Sequence, residues 1–184
     1  MMFPSNYTPP ESNSEGGKYT KIKENEPVKL RILSEAITGY VYWTNDNKPI
    51  RSEIQFQSTP NIRDDSKAKH FWAFKVWNYN TNQIEVWEIG QASIRDVLWT
   101  YWKDDEYGDL RNYPLKIIRT GKALETKYQV IAGQSKPLEE AIAIASADTI
   151  VNLHALYNGE NPFAVADSQK IDDGATASKY DEDF

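Results

Sequence analysis

Between Lys18 and Gly159 the chain shows two hydrophobic periods, and their order predicts its elements. Val28, Leu30 and Ile32 alternate with Lys29 and Arg31, and the apolar pattern runs on through Ile37, Tyr40 and Val41. This is strand periodicity, in one long strand expected to bend near Gly39. A polar loop, Asn45 to Pro49, leads into residues 50–57, where Ile50, Ile54 and Phe56 mark a second strand with one break at Ser52. Residues 58–68 are polar, hold Pro60 and the pair Asp64-Asp65, and read as a surface loop. Phe71–Tyr79 and Ile84–Ile89 form a hairpin around Asn80-Thr81-Asn82-Gln83. The period then changes: Ile94, Val97, Leu98 and Tyr101 share one face of a short helix over 91–102. A polar loop, 104–112, precedes a second hairpin, Pro114–Thr120 and Thr126–Ile131 around Gly121.

A last helix is expected over 137–159. It opens at Ser135-Lys136-Pro137, carries Glu139 and Glu140 at its positive dipole end, and stops at Asn158-Gly159. Its apolar face would hold Leu138, Ala141, Ile142, Ala145, Thr149, Ile150, Leu153 and Tyr157. Residues 1–17 are rich in Pro, Gly and Ser and read as a flexible arm; residues 160–184 read as a disordered acidic tail. The body, residues 18–136, is mainly β. This order of elements, with one helix between two hairpins, is read as a five-stranded OB-fold barrel, with its helix between strands three and four. An all-β sandwich decorated by one helix is the alternative.

Charge changes that picture. The 184 residues carry a net −6, which taken whole argues against a nucleic-acid partner. Divided by segment, residues 1–17 carry −2, residues 18–136 carry +4 and residues 137–184 carry −8. The basic segment also holds all six Trp and 17 of the 23 aromatic residues, so a basic, aromatic body is joined to an acidic end. Cysteine is absent, which excludes disulfides, thiolate catalysis and zinc ribbons and suits a reducing, cytoplasmic setting. No apolar run is long enough to span a bilayer, and no export signal precedes the body, so no membrane partner is expected.

Catalytic chemistry finds little support. His154 reads as a structural histidine near the apolar face of the last helix, and His70 as a strand-edge residue or an anion contact. Asp64-Asp65 and Asp104-Asp105-Glu106 are loop neighbours without a matching third ligand. No phosphate-loop, dinucleotide or nucleophile-elbow motif occurs, so the chain reads as a non-enzyme without a cofactor. Binding chemistry fits better. One face of the first hairpin strand carries Trp72, Phe74 and Val76 as a core row, and the other carries Phe71, Ala73, Lys75, Trp77 and Tyr79. Rings punctuated by a cation suit single-stranded nucleic acid, since bases stack on rings and Lys meets phosphates. Trp77 and Tyr79 read as stacking residues. Trp87 either extends that face or packs in the core, and Trp43 is a further stacking candidate. Lys48, Arg51, Lys69, Lys75, Arg111, Lys122 and Lys127 are the phosphate candidates, any one of which is as readily a solvated surface residue. In the tail, Asp181, Glu182, Asp183 and Phe184 offer a partner both charge and an apolar anchor.

These residues resemble a known family. Val28-Lys29-Leu30-Arg31-Ile32-Leu33, Gly39-Tyr40-Val41-Tyr42-Trp43, Lys48-Pro49-Ile50-Arg51 and Val86-Trp87-Glu88-Ile89 look like segments of bacteriophage single-stranded DNA-binding proteins. So do Tyr107-Gly108-Asp109 and residues Gly121 to Tyr128, in the same order, followed by the acidic end. The resemblance spans about residues 19–137. It implies an OB fold that coats single strands without sequence preference during phage DNA replication, recombination or repair. It also implies a tail that recruits DNA polymerase, helicase or primase. Structural zinc, found in some relatives, does not carry over to a chain without Cys. A homo-oligomer is left open. The competing expectations are a carbohydrate-binding or virion protein using the aromatic platform and, less favoured, a metal-dependent nuclease.

Overall fold

The structure is a computed structural model that describes residues 18–55, 61–63 and 67–164. The expected arm, the pair Asp64-Asp65 and the tail with Asp181, Glu182, Asp183 and Phe184 lie outside the described residues. The fold is mainly β. Seven strands make one antiparallel sheet: β1 (Val28–Ile32), β2 (Ile37–Trp43), β3 (Pro49–Ser52), β4 (Lys69–Asn78), β5 (Gln83–Ile89), β6 (Pro114–Thr120) and β7 (Lys127–Ala132). They follow the order β3-β2-β4-β1-β6-β7, with β5 paired to β4. Helix α1 (Ala92–Lys103) joins β5 to β6, and α2 (Glu140–Asp148) follows β7.

β1 and β2 are two halves of the expected long strand. Both pair with the same edge of β4, through Ile32↔Val76 and then Ile37↔Ala73, while β5 takes the other edge. The break falls at residues 33–36 and not at Gly39. Gly39 serves close approach: a Cβ there would lie 2.4 Å from the Ser52 carbonyl oxygen and 3.1 Å from the rings of Phe71 and Tyr157. β3 is also shorter than residues 50–57 suggested, ending at Ser52.

The closed five-stranded barrel is not what forms. Closure would need β5 to pair with β7, and no ladder joins them among the described residues. The outer edge of β5 is already taken by the chain's own N-terminal segment. The Thr20 N–H donates to the Val86 carbonyl (2.9 Å), and the Val86 N–H to that of Lys18 (2.8 Å). The buried Glu85 carboxylate accepts from Thr20, Asn78 and Thr81, which ties this segment to β5. On the other side α1 packs against β7, with the Tyr101 hydroxyl donating to the Val130 carbonyl at 3.4 Å. The sheet therefore curls around a core but stays open.

Two apolar clusters lie on its two faces. Leu30, Ile32, Phe74, Val76, Trp87, Ile94, Leu98, Leu115 and Ile117 fill the inside, beneath α1. Ile37, Val41, Phe71, Ala73 and Val86 face outward and are covered by Leu153 and Leu156. These two belong to a 3-10 turn, Leu153–Asn158, and not to one long helix. The predicted helix over 137–159 is split. Residues 133–139 are not helical, and are held by Lys136 N–H on the Asn112 carbonyl and Arg31 Nη2 on the Lys136 carbonyl. The β-branched run Thr149-Ile150-Val151 then ends α2, and the chain re-enters a turn that stops at Gly159 with φ +71°.

Candidate nucleic-acid interface

The outward face of β4 carries the residues that alternation assigned to it, but the C-terminal segment lies across that face. Phe71 and Ala73 are fully buried there. The Lys75 ammonium donates to the carbonyls of Ser146 and Thr149, at 2.7 Å each, and burial lowers its pKa. Tyr79 donates to Glu139 (3.0 Å), with the Lys29 ammonium 4.6 Å from its ring centre. Burial, with that hydrogen bond, pushes its phenol up to about 12. Trp77 is half-buried opposite Arg31 in the β1–β4 ladder. Lys75 and Tyr79 thus hold the C-terminal segment down and do not line an open groove.

Other expected contacts are also engaged or dispersed. Trp87 is 1% exposed inside the core, against Phe74, and cannot meet a base. Arg51 grips Glu88 with two nitrogens at 3.0 and 3.1 Å, so its guanidinium is already neutralised. Trp43, Lys48 and Lys69 are exposed together near the β2–β3 end of the sheet. Lys122 and Lys127 are exposed at the β6–β7 turn, at the other end of the strand order, where Lys122 approaches Glu24 at 3.7 Å.

An open aromatic site does exist, on the inward face. A cleft of about 360 Å³ separates the β1–β2 junction from α1 and the turn Leu110–Asn112. Trp72, Phe74, Trp99 and Trp102 line it, with Ile32 and Leu110 among its apolar residues. Trp99 is 52% and Trp102 48% exposed, large values for indoles in a folded body. Trp72 and Trp99 have ring centres 6.5 Å apart, and the Lys103 ammonium sits 4.9 Å from the centre of Trp99. The aromatic surface continues along the same face of the sheet. Trp72 Nε1 donates to His70 Nε2 (3.2 Å), and the His70 ring lies 5.1 Å from that of Tyr40, its partner across the β2–β4 ladder. Burial first, then the charge of Arg95, lowers the pKa of His70.

The polar residues of the cleft are Ser34, Glu35, Thr38, Asp109 and Arg111. Arg111, a phosphate candidate, lines the cleft but is committed. Its Nε and Nη2 bond both oxygens of Asp109, the shortest at 2.6 Å, and this pair holds the Asp109 carboxyl below its ordinary range. With Arg111 paired to Asp109, Glu35 leaves the cleft with a net negative charge, so it suits flat rings more than a phosphate backbone.

The core face of α1, Ile94, Val97, Leu98 and Tyr101, leaves Trp99 and Trp102 outside the expected stacking residues. Arg95, Trp99 and Trp102 stand at i, i+4 and i+7, a second stripe beside Ile94 and Leu98. An apolar arc that wide exceeds what one buried face uses, which marks a second, solvent-facing flank in the sequence itself. The acidic run at Asp104 is structural: its carboxylate accepts the N–H groups of Glu106 and Tyr107 and caps the turn after α1. Among the described residues no helix is long and apolar enough to cross a membrane. Comparison with protein-family models, curated proteins and solved structures finds no match for this chain.

Proposed function

We propose that the chain binds single-stranded DNA without strong sequence preference, stacking bases in the Trp72–Trp99–Trp102 cleft while the backbone runs outside it. The observation that carries this reading is the cleft: three indoles, two of them half exposed, in a concave site rimmed by charge. Stacking on aromatic side chains contributes ~1–3 kcal/mol per base and tolerates any base. The +4 body supports it, with Lys103 at Trp99 and Lys69 beside His70 as nearby cations. The pairings β1/β2–β4, β4–β5, β1–β6 and β6–β7 support an OB-like connectivity opened at one seam. In this reading the chain is a phage-type replication, recombination or repair factor in the cytoplasm of a host cell. The acidic end acts separately, presenting Asp181, Glu182 and Asp183 to a basic surface of a replication protein. Removing Asp181–Phe184 then leaves DNA affinity intact or raised and weakens association with polymerase, helicase or primase in a pull-down; unchanged association contradicts that role.

Glu35 and Asp109 favour one second reading. Carboxylates beside indoles also suit sugar hydroxyls, as in a carbohydrate-binding or virion protein. Titration of tryptophan fluorescence with oligo(dT) at increasing salt separates the two. Nucleic-acid binding predicts quenching and an affinity falling with a log–log slope of ~0.7 per phosphate contact. A response to neutral oligosaccharides alone, insensitive to salt, overturns it.

A further inference from the structure

We infer that Arg31, Lys29, Lys136 and Tyr79 form a phosphate-binding site on the outer face of the β1–β4 ladder, with Glu139 holding the place of the phosphate. The site goes beyond the nucleic-acid reading. It lies across the sheet from the Trp cleft, and its ligand is a phosphate group, free or in a nucleic-acid backbone. Arg31 carries the argument. It is 2% exposed, opposite Trp77 in the ladder, and its Nη2 donates to the Lys136 carbonyl at 2.7 Å. Its Nε and Nη1 are buried with no hydrogen-bond partner among the described residues. A sealed guanidinium that meets one neutral acceptor and no carboxylate is costly, and an apolar side chain of similar volume would pack as well. Phosphate supplies what this guanidinium lacks: charged oxygens spaced to accept two parallel N–H groups.

The neighbours of Arg31 extend the site toward solvent. The Lys29 and Lys136 ammoniums lie 4.6 and 5.7 Å from the centre of the Tyr79 ring. The Tyr79 hydroxyl donates to one oxygen of Glu139 and Lys136 Nζ to the other. The hydrogen bond from Lys136, then that from Tyr79 and the charge of Arg31, lower the Glu139 pKa. Three cations thus surround one carboxylate, which leaves an excess of positive charge for a phosphate to take up. Glu139 is exposed, and residues 133–139 belong to neither helix nor sheet. A phosphate therefore displaces one side chain and one loop carbonyl, and no regular element has to come apart.

NMR of the Arg31 Nε–H group tests this, since burial protects that proton from exchange with water. Inorganic phosphate should shift the signal saturably, and by more than sodium chloride does at equal ionic strength. Glu139→Gln keeps an acceptor for Tyr79 and removes the resident charge. It should tighten phosphate binding about two- to fivefold, the scale of a half-exposed ion pair. Titration of the Trp99→Ala/Trp102→Ala variant with oligo(dT) separates the sources. A shift there identifies a backbone phosphate as the ligand, and a shift with inorganic phosphate alone identifies a free one. Shifts no larger than those with sodium chloride in both titrations overturn the site. So does a phosphate affinity that Glu139→Gln leaves unchanged or lowers. Neither result bears on stacking in the Trp cleft, which tryptophan quenching of the intact chain decides.

Discussion

At the scale of single residues, exposure separates indoles with different roles. Trp87 is sealed against Phe74 and the rest of the inner cluster, so Trp87→Ala should destabilise the fold by about 3–5 kcal/mol, read from chemical denaturation. Trp102→Ala, at a half-exposed helix position, should change stability by less than about 1 kcal/mol. Strand alternation could not settle Trp87, because β5 is covered on both faces: Val86 belongs to the outer cluster and Trp87 to the inner one. Where both faces are buried, period two carries no information about which is open. His70 gives a pH signature. Burial and Arg95 depress its folded pKa below 6.5, so the fold disfavours the imidazolium. Its contribution is complete above pH ~6.5 and declines as the pH falls through the lower folded value. Histidine NMR titration should place His70 below 6.5; a His70 pKa above that value would contradict the packing described.

At the scale of elements, the hairpins, α1 and their order were legible because each carries a full period of its own. β4 needs alternation over ten residues, and α1 needs Ile94 and Leu98 on one face. The last helix was not legible as built. Its apolar positions were real, but Leu153 and Leu156 satisfy contacts with Phe71 and Ala73, fixed by chain distant in sequence. Tertiary burial overrode helical continuity at Thr149-Ile150-Val151. The same segment hides the face that the sequence offers for stacking, and Lys75 is one of its anchors. Lys75→Met keeps the length of the stem and removes both hydrogen bonds to the Ser146 and Thr149 carbonyls. Amide hydrogen exchange should then accelerate in residues 140–158 with little change in β6 and β7. Uniform acceleration throughout the chain, or none, would show that the segment is held in some other way.

For the whole molecule, barrel closure and site location depend on the same long-range facts. Residues 18–20 take the β5 edge and α1 covers β7, so the open seam leaves α1 with a second flank that reaches solvent. That flank carries Trp99 and Trp102. Nothing local to residues 18–20 announces that they block a strand edge, which is why a closed barrel was the natural expectation. The division of charge, by contrast, is written in composition and needs no coordinates: a +4 body beside an acidic end. In the proposed reading the body takes a polyanionic ligand and the cleft is its stacking surface. The most direct test is fluorescence titration of the double variant Trp99→Ala/Trp102→Ala with a single-stranded oligonucleotide at low salt, beside the intact chain. Binding through the cleft predicts that affinity falls at least tenfold, with most of the quenching lost and the denaturation midpoint almost unchanged. A double variant that folds and binds single strands as tightly as the intact chain would contradict it.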